Sequence, residues 1–137
     1  MKILYWVAPF YTLLVCYGSL SDSAPIKEAP FQHFDKVLHF TAYAIMFVCW
    51  YLFFYHRFLE RQPDYKYDLH TILSDWSRVI AIAAIVFSFV IGALIEFAQA
   101  LWSNNRQMDP LDAVANLAGI VIAALVMHLI SRFIYTR

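Results

Sequence analysis

The chain reads as long apolar runs broken by short polar stretches. Four of these runs, Ile3–Leu20, Val37–Tyr55, Val79–Trp102 and Leu111–Ile130, hold at most one acidic side chain each and no lysine or arginine. About 17–25 such residues carry a helix across a bilayer, so each run predicts a transmembrane helix, the fourth continuing to about residue 134. Apolar and polar positions do not alternate, as the strands of a membrane β-barrel require. The expected fold is all-α: a single polytopic membrane domain over residues 1–137, a bundle of about four transmembrane helices at about 3–20, 37–55, 79–102 and 111–134.

Composition makes the bilayer the natural solvent. Hydrophobic residues are 62% of the chain and the mean hydropathy is +0.59, against about 45–50% apolar residues in soluble domains. Net charge is zero and the basic residues are scattered, which leaves no footprint for nucleic acid. Cys16 and Cys49 lie within apolar runs and read as small hydrophobes rather than as a disulfide or redox motif. Lys2, the first run and Ser21-Asp22-Ser23-Ala24 also fit a signal peptide; the run is read as a retained helix, with cleavage as the alternative.

Basic residues orient the bundle. Lys2, Arg57, Arg61, Lys66, Arg78, Arg132 and Arg137 fall on the side of the termini and of the loop after the second run, whereas Lys27, Lys36 and Arg106 fall opposite. Lysine and arginine favour cytoplasmic loops. Both termini are therefore expected in the cytoplasm, in a multi-pass protein of the cell inner (cytoplasmic) membrane.

The polar residues of the runs share one depth. Lys36, His39 and Tyr43 share a helical face, as do Glu96 and Gln99 in IEFAQ, and Asp112 and Asn116. With the runs alternating in direction, all fall at outward ends near the connection carrying Arg106, which predicts one outward-facing polar pocket. Intramembrane ionisable groups usually pair or line wet cavities. His39, Glu96 and Asp112 are the candidate catalytic groups, able to divide acid and base roles because two carboxylates in different surroundings titrate apart. Lys36 and Arg106 would hold an anionic phosphate or carboxylate, with Tyr43, Gln99 and Asn116 completing a substrate-binding set. The structural alternative is a network that only fastens helices. No serine or cysteine nucleophile stands beside the set, which argues against covalent hydrolase chemistry.

Other features have simpler readings. Asp109-Pro110 predicts an N-cap followed by proline at the first helical position; Asp35 is either a cap or a member of the site. Gly119 is read as a packing contact. In the segment 56–78, Leu69, Ile72, Leu73 and Trp76 recur at helical spacing and predict a short interfacial helix. His56, Asp64, Asp68 and His70 there match no standard ligand spacing and read as a solvated face. No metal and no cofactor are expected.

The combination Asp35-Lys36-x2-His39-Phe40-x2-Tyr43, Glu96-x2-Gln99 and Arg106-x2-Asp109-x2-Asp112-x3-Asn116-x2-Gly119 resembles the VanZ-like family, whose namesake is associated with teicoplanin resistance. The likeness extends from the second run to the end of the fourth. It departs at Asn105, where glycine is frequent in the family, and in the long charged loop after the second run. The resemblance implies a small envelope membrane protein linked to glycopeptide antibiotics and carries no settled reaction mechanism. Two functions follow as expectations. The pocket binds or modifies a cell-envelope lipid or lipid-linked cell-wall precursor, with membrane lipids as partners and no nucleic acid, or it is an intramembrane enzyme acting by His/Glu/Asp acid–base chemistry on an anionic lipid-linked substrate. Proton-coupled transport would need polar residues in the inner halves of the runs as well, and these are lacking.

Overall fold

The computed structural model describes residues 3–21, 33–63, 69–102 and 109–135. These form five helices and, among the described residues, no strand: α1 (Leu4–Leu20), α2 (Phe34–Leu59), α3 (Leu69–Ser74), α4 (Arg78–Trp102) and α5 (Pro110–Tyr135). At 1.5 Å per residue, α2, α4 and α5 are each nearly 40 Å long, more than the ~30 Å of a hydrocarbon core, and all three are apolar enough to cross one. The first of the four expected spans differs. α1 has 17 residues, about two turns fewer than the others.

α1 nevertheless runs along the bundle from end to end. Its Tyr5 ring meets His56 at 4.8 Å, Thr12 accepts a hydrogen bond from the Trp50 indole at 3.0 Å, the Tyr11 hydroxyl donates to the Ala42 carbonyl at 3.1 Å and the Ser19 carbonyl accepts from Gln99 at 2.7 Å. α1 is thus antiparallel to α2 and parallel to α4.

Two boundaries move relative to the apolar runs. α2 begins at Phe34, with Asp35 in its first turn, where a carboxylate meets the positive end of the helix dipole. The N-cap residue is His33, in the left-handed region (φ 67°), without a side-chain cap bond, so Asp35 is not the cap. The helix then continues to Leu59 because His56 and Leu59 extend its buried face. His56 is therefore a core residue against Tyr5 rather than part of a solvated loop. Asp64 and Asp68 lie outside the described residues. The short helix expected in this segment is α3, fastened to α5 by the Ser131 hydroxyl, which donates to the Ser74 carbonyl at 2.9 Å.

The outward faces carry Trp6, Phe10, Leu94 and Leu129, each more than 60% exposed, while Glu96, Gln99 and Asn116 are at most 5% exposed. Such an apolar exterior suits lipid rather than water. Within the core, α4 presents Ala84, Ser88 and Gly92 at intervals of four, all buried, a small-residue stripe that admits bulky neighbours. A Cβ on Gly92 would lie 2.7 Å from Cε1 of Tyr43.

The tightest approach is between α2 and α5. A Cβ on Gly119 would overlap the Phe40 carbonyl oxygen and lie 3.2 Å from the Ala44 nitrogen, so the two backbones touch. That contact positions the site: Asp112 and Asn116 occupy the same α5 face within two turns before Gly119, and Lys36 and His39 occupy the turn of α2 just before Phe40.

Candidate functional site

Lys36 is the hub of the cluster. Its ammonium lies 2.7 Å from Asp35, 2.5 Å from Asp109 and 2.6 Å from Asp112. An ammonium has three N–H donors, and each is directed to a different aspartate. Asp109 also caps α5, because its other oxygen accepts from the Leu111 N–H at 2.9 Å. The expected cap is therefore present, and the same side chain ties α5 to α2. The Lys36 hydrogen bond holds the Asp109 carboxyl below the usual carboxylate range.

A second layer lies one turn deeper. The Nδ1 of His39 is 3.1 Å from the Oδ1 of Asn116; an amide oxygen only accepts, so Nδ1 carries the proton and Nε2 of the neutral ring keeps its lone pair. The amide nitrogen of Asn116 donates to Oε1 of Glu96 at 3.3 Å, so one amide orients both partners. His39 Nδ1 is 3.6 Å from Glu96 Oε1, and Nε2 is 3.8 Å from Oδ2 of Asp112. Three side chains from three helices thus gather acceptor atoms, with only the aspartate–lysine bridge supplying positive charge among the described residues.

Among the described residues the balance is four carboxylates, Asp35, Glu96, Asp109 and Asp112, around one ammonium. Lys36 is saturated by aspartates, so it has no donor left for an anionic ligand.

The other predicted residues are distributed as follows. Tyr43 is 1% exposed, its ring against Gly92 one turn before Glu96, and its hydroxyl has no hydrogen-bond partner among the described residues. Gln99 is buried, but its amide is used on the Ser19 carbonyl and joins α4 to α1 instead of meeting His39. Arg106 lies outside the described residues. Sequence reasoning underweighted Asp35 and Asp109 as partners of Lys36. The signal was available: Asp109 and Asp112 are three apart on the face of α5 that carries Asn116, and residues at that spacing are neighbours.

A family model described as VanZ/LLP1 matches residues 3–131, and the chain belongs to that family. No curated protein and no solved structure matches it.

Proposed function

We propose that the cluster lies at the outward end of the bundle in the inner membrane, and that it binds or modifies the phosphate-bearing headgroup of a cell-envelope lipid or lipid-linked cell-wall precursor. This reading links the protein to glycopeptide tolerance, teicoplanin in particular. The observation that carries the reading of a site, as against a fastener, is the excess of acceptors among the described residues: Glu96, 2% exposed, and Asp112 face His39 without enough donors there to neutralise them. A network that served only to fasten helices would be matched donor to acceptor, because each uncompensated buried charge costs several kcal/mol. The basic residues Arg57, Arg61, Arg78 and Arg132 collect at the opposite end, which supports the orientation.

The enzymatic version of this reading is favoured by one contact set. His39 stands between two carboxylates, at 3.6 and 3.8 Å, an arrangement suited to passing a proton rather than to covalent attack. The test is drug susceptibility in a host without an outer membrane. Raised expression lowers susceptibility to teicoplanin, and Glu96→Gln and Asp112→Asn proteins that accumulate normally lose this protection while Tyr55→Phe keeps it. Full protection by both carboxylate variants would reduce the cluster to scaffolding.

A further inference from the structure

Among the described residues, four carboxylates around one saturated ammonium favour a cation over a phosphate. A cation held between these groups would reconcile the proposed ligand with the described cluster. We infer that His39, Glu96 and Asp112 form a divalent-cation site, of the zinc or manganese class, whose remaining coordination positions take a phosphate oxygen. The ligand half of this inference rests on the proposed function; the metal site does not.

The three side chains each offer one ligand atom, and these atoms lie within 4.8 Å of one another. A tetrahedral ion at about 2.1 Å from each holds its ligands about 3.4 Å apart, so side-chain shifts of about an ångström close the site. The chemistry of each atom fits. In the neutral ring with its proton on Nδ1, His39 donates to the Asn116 oxygen and presents the Nε2 lone pair, the arrangement that metal-bound histidines use to fix their tautomer. Asp112 divides its oxygens, with Oδ1 on Lys36 and Oδ2 towards His39 Nε2, so the lysine and an ion do not compete for one atom. Asn116 orients Glu96 by the donor end of the same amide. One imidazole and two carboxylates suit zinc, manganese or ferrous iron better than calcium. Three protein ligands leave room for an exogenous one.

A separate observation points the same way. Tyr43 follows His39 by one turn on α2 and is 1% exposed, and its hydroxyl, beside Gly92 and within electrostatic reach of Glu96, has no partner among the described residues. A buried hydroxyl without a partner costs free energy. It leaves an unused buried donor beside Gly92, one turn before Glu96 on α4. This site departs from the sequence expectation of no metal, which weighed only the histidines and aspartates of residues 56–78.

The experiment uses the full chain in detergent, stripped with chelator and titrated with Mn²⁺. One ion binds per chain, and its pulsed EPR spectrum shows nitrogen hyperfine coupling from the imidazole. Glu96→Gln and Asp112→Asn abolish stoichiometric binding, Asn116→Ala weakens it about 10- to 100-fold as loss of an orienting partner does, and Tyr55→Phe at the far end binds as the parent. Because the coupling is read on the unmodified chain, a variant that fails to fold does not decide the matter. Absence of stoichiometric Mn²⁺ and Zn²⁺ binding by the parent, or bound Mn²⁺ without nitrogen coupling, overturns the site. Adding vesicles of phosphatidylglycerol separates the two halves. A change in the Mn²⁺ spectrum supports the phosphate contact. Bound Mn²⁺ with no change on adding vesicles, and with unaltered drug susceptibility, leaves the metal site and overturns the ligand reading.

Discussion

At the end of the bundle where α2 finishes and α4 begins, polar groups serve as fasteners between aromatic rings. The Tyr55 hydroxyl donates to Asp75 at 2.6 Å, the Tyr51 hydroxyl accepts from the Ser77 N–H at 3.2 Å, and the Tyr51 ring stacks on Trp76 at 4.9 Å. Each of these contacts joins a donor to an acceptor or a ring to a ring, and together they hold the segment from α3 to α4 against the bundle. At the other end, Lys36 is surrounded by three aspartates, and His39 lies between one of them, Asp112, and Glu96. Both ends hold helices together. Among the described residues, only the second leaves acceptor facing acceptor. The contrast separates polar packing from a candidate site, and the strongest predictions are those that strain it.

The largest effect is expected at the contact that assembles the ion-rich end. Gly119→Leu drives a side chain into the Phe40 carbonyl, and backbone cannot swing aside as a side-chain tip does. Overpacking of this kind costs about 1–3 kcal/mol and occasionally more. Thermal unfolding in detergent should fall sharply and protein level with it. Gly18→Leu is the matched control, because nothing lies within 4 Å of a Cβ there. Equal stability of the two variants would mean that the close approach of α5 to α2 does not set the cluster.

The second effect compares the two ends directly. Lys36→Met leaves Asp112, whose side chain is 15% exposed, without its counter-charge, and removing one partner of a buried pair costs about 3–5 kcal/mol. Tyr55→Phe removes one hydrogen bond to an exposed carboxylate that water can then solvate, nearer to 1 kcal/mol. The signature is in the double variants. Lys36→Met with Asp112→Asn should cost less than the sum of the single changes, whereas Lys36→Met with Tyr55→Phe should be additive, since distant sites without shared partners add. Additivity in the first pair would remove the ion hub from the description.

Much of this contrast could be read from the chain. The apolar runs gave the helices, because residues that face lipid must be apolar along their whole length, and shared faces brought Lys36, His39, Glu96, Asp112 and Asn116 to one depth. The length of α2 was less legible: His56 and Leu59 extend it beyond the apolar run because both are buried, His56 against Tyr5 of α1, a tertiary fact. The direction of Gln99 was also hidden, since its spacing from Glu96 is the same whether its amide turns to His39 or to the Ser19 carbonyl. The saturation of Lys36 depended on how closely α5 approaches, which Gly119 permits but does not announce. The acceptor-rich centre therefore emerged only when Asp35 and Asp109 had been seen to occupy the lysine.

The smallest effect tests one of those two aspartates. Asp109 both caps α5 and accepts a hydrogen bond from Lys36, and it is the Lys36 hydrogen bond that holds its carboxyl below the ordinary value of 3.8. A carboxylate whose value is depressed by folding contributes stability at pH above its unfolded value and loses it as the pH falls through the folded one. The contribution should therefore be complete at neutral pH and decline below about pH 4, the unfolded carboxylate range. Asparagine is as good a helix cap as aspartate but lacks the charge. Asp109→Asn should thus flatten part of the acid-side loss of thermal stability while keeping the cap, and Asp109→Ala should lower stability further at every pH by removing the cap as well. Because the side chain is 39% exposed, solvent screens the pair and the step is small. An acid profile unchanged by Asp109→Asn would show that Lys36 is shared by Asp35 and Asp112 alone, leaving the ion-rich end one carboxylate closer to the balance found at the aromatic end.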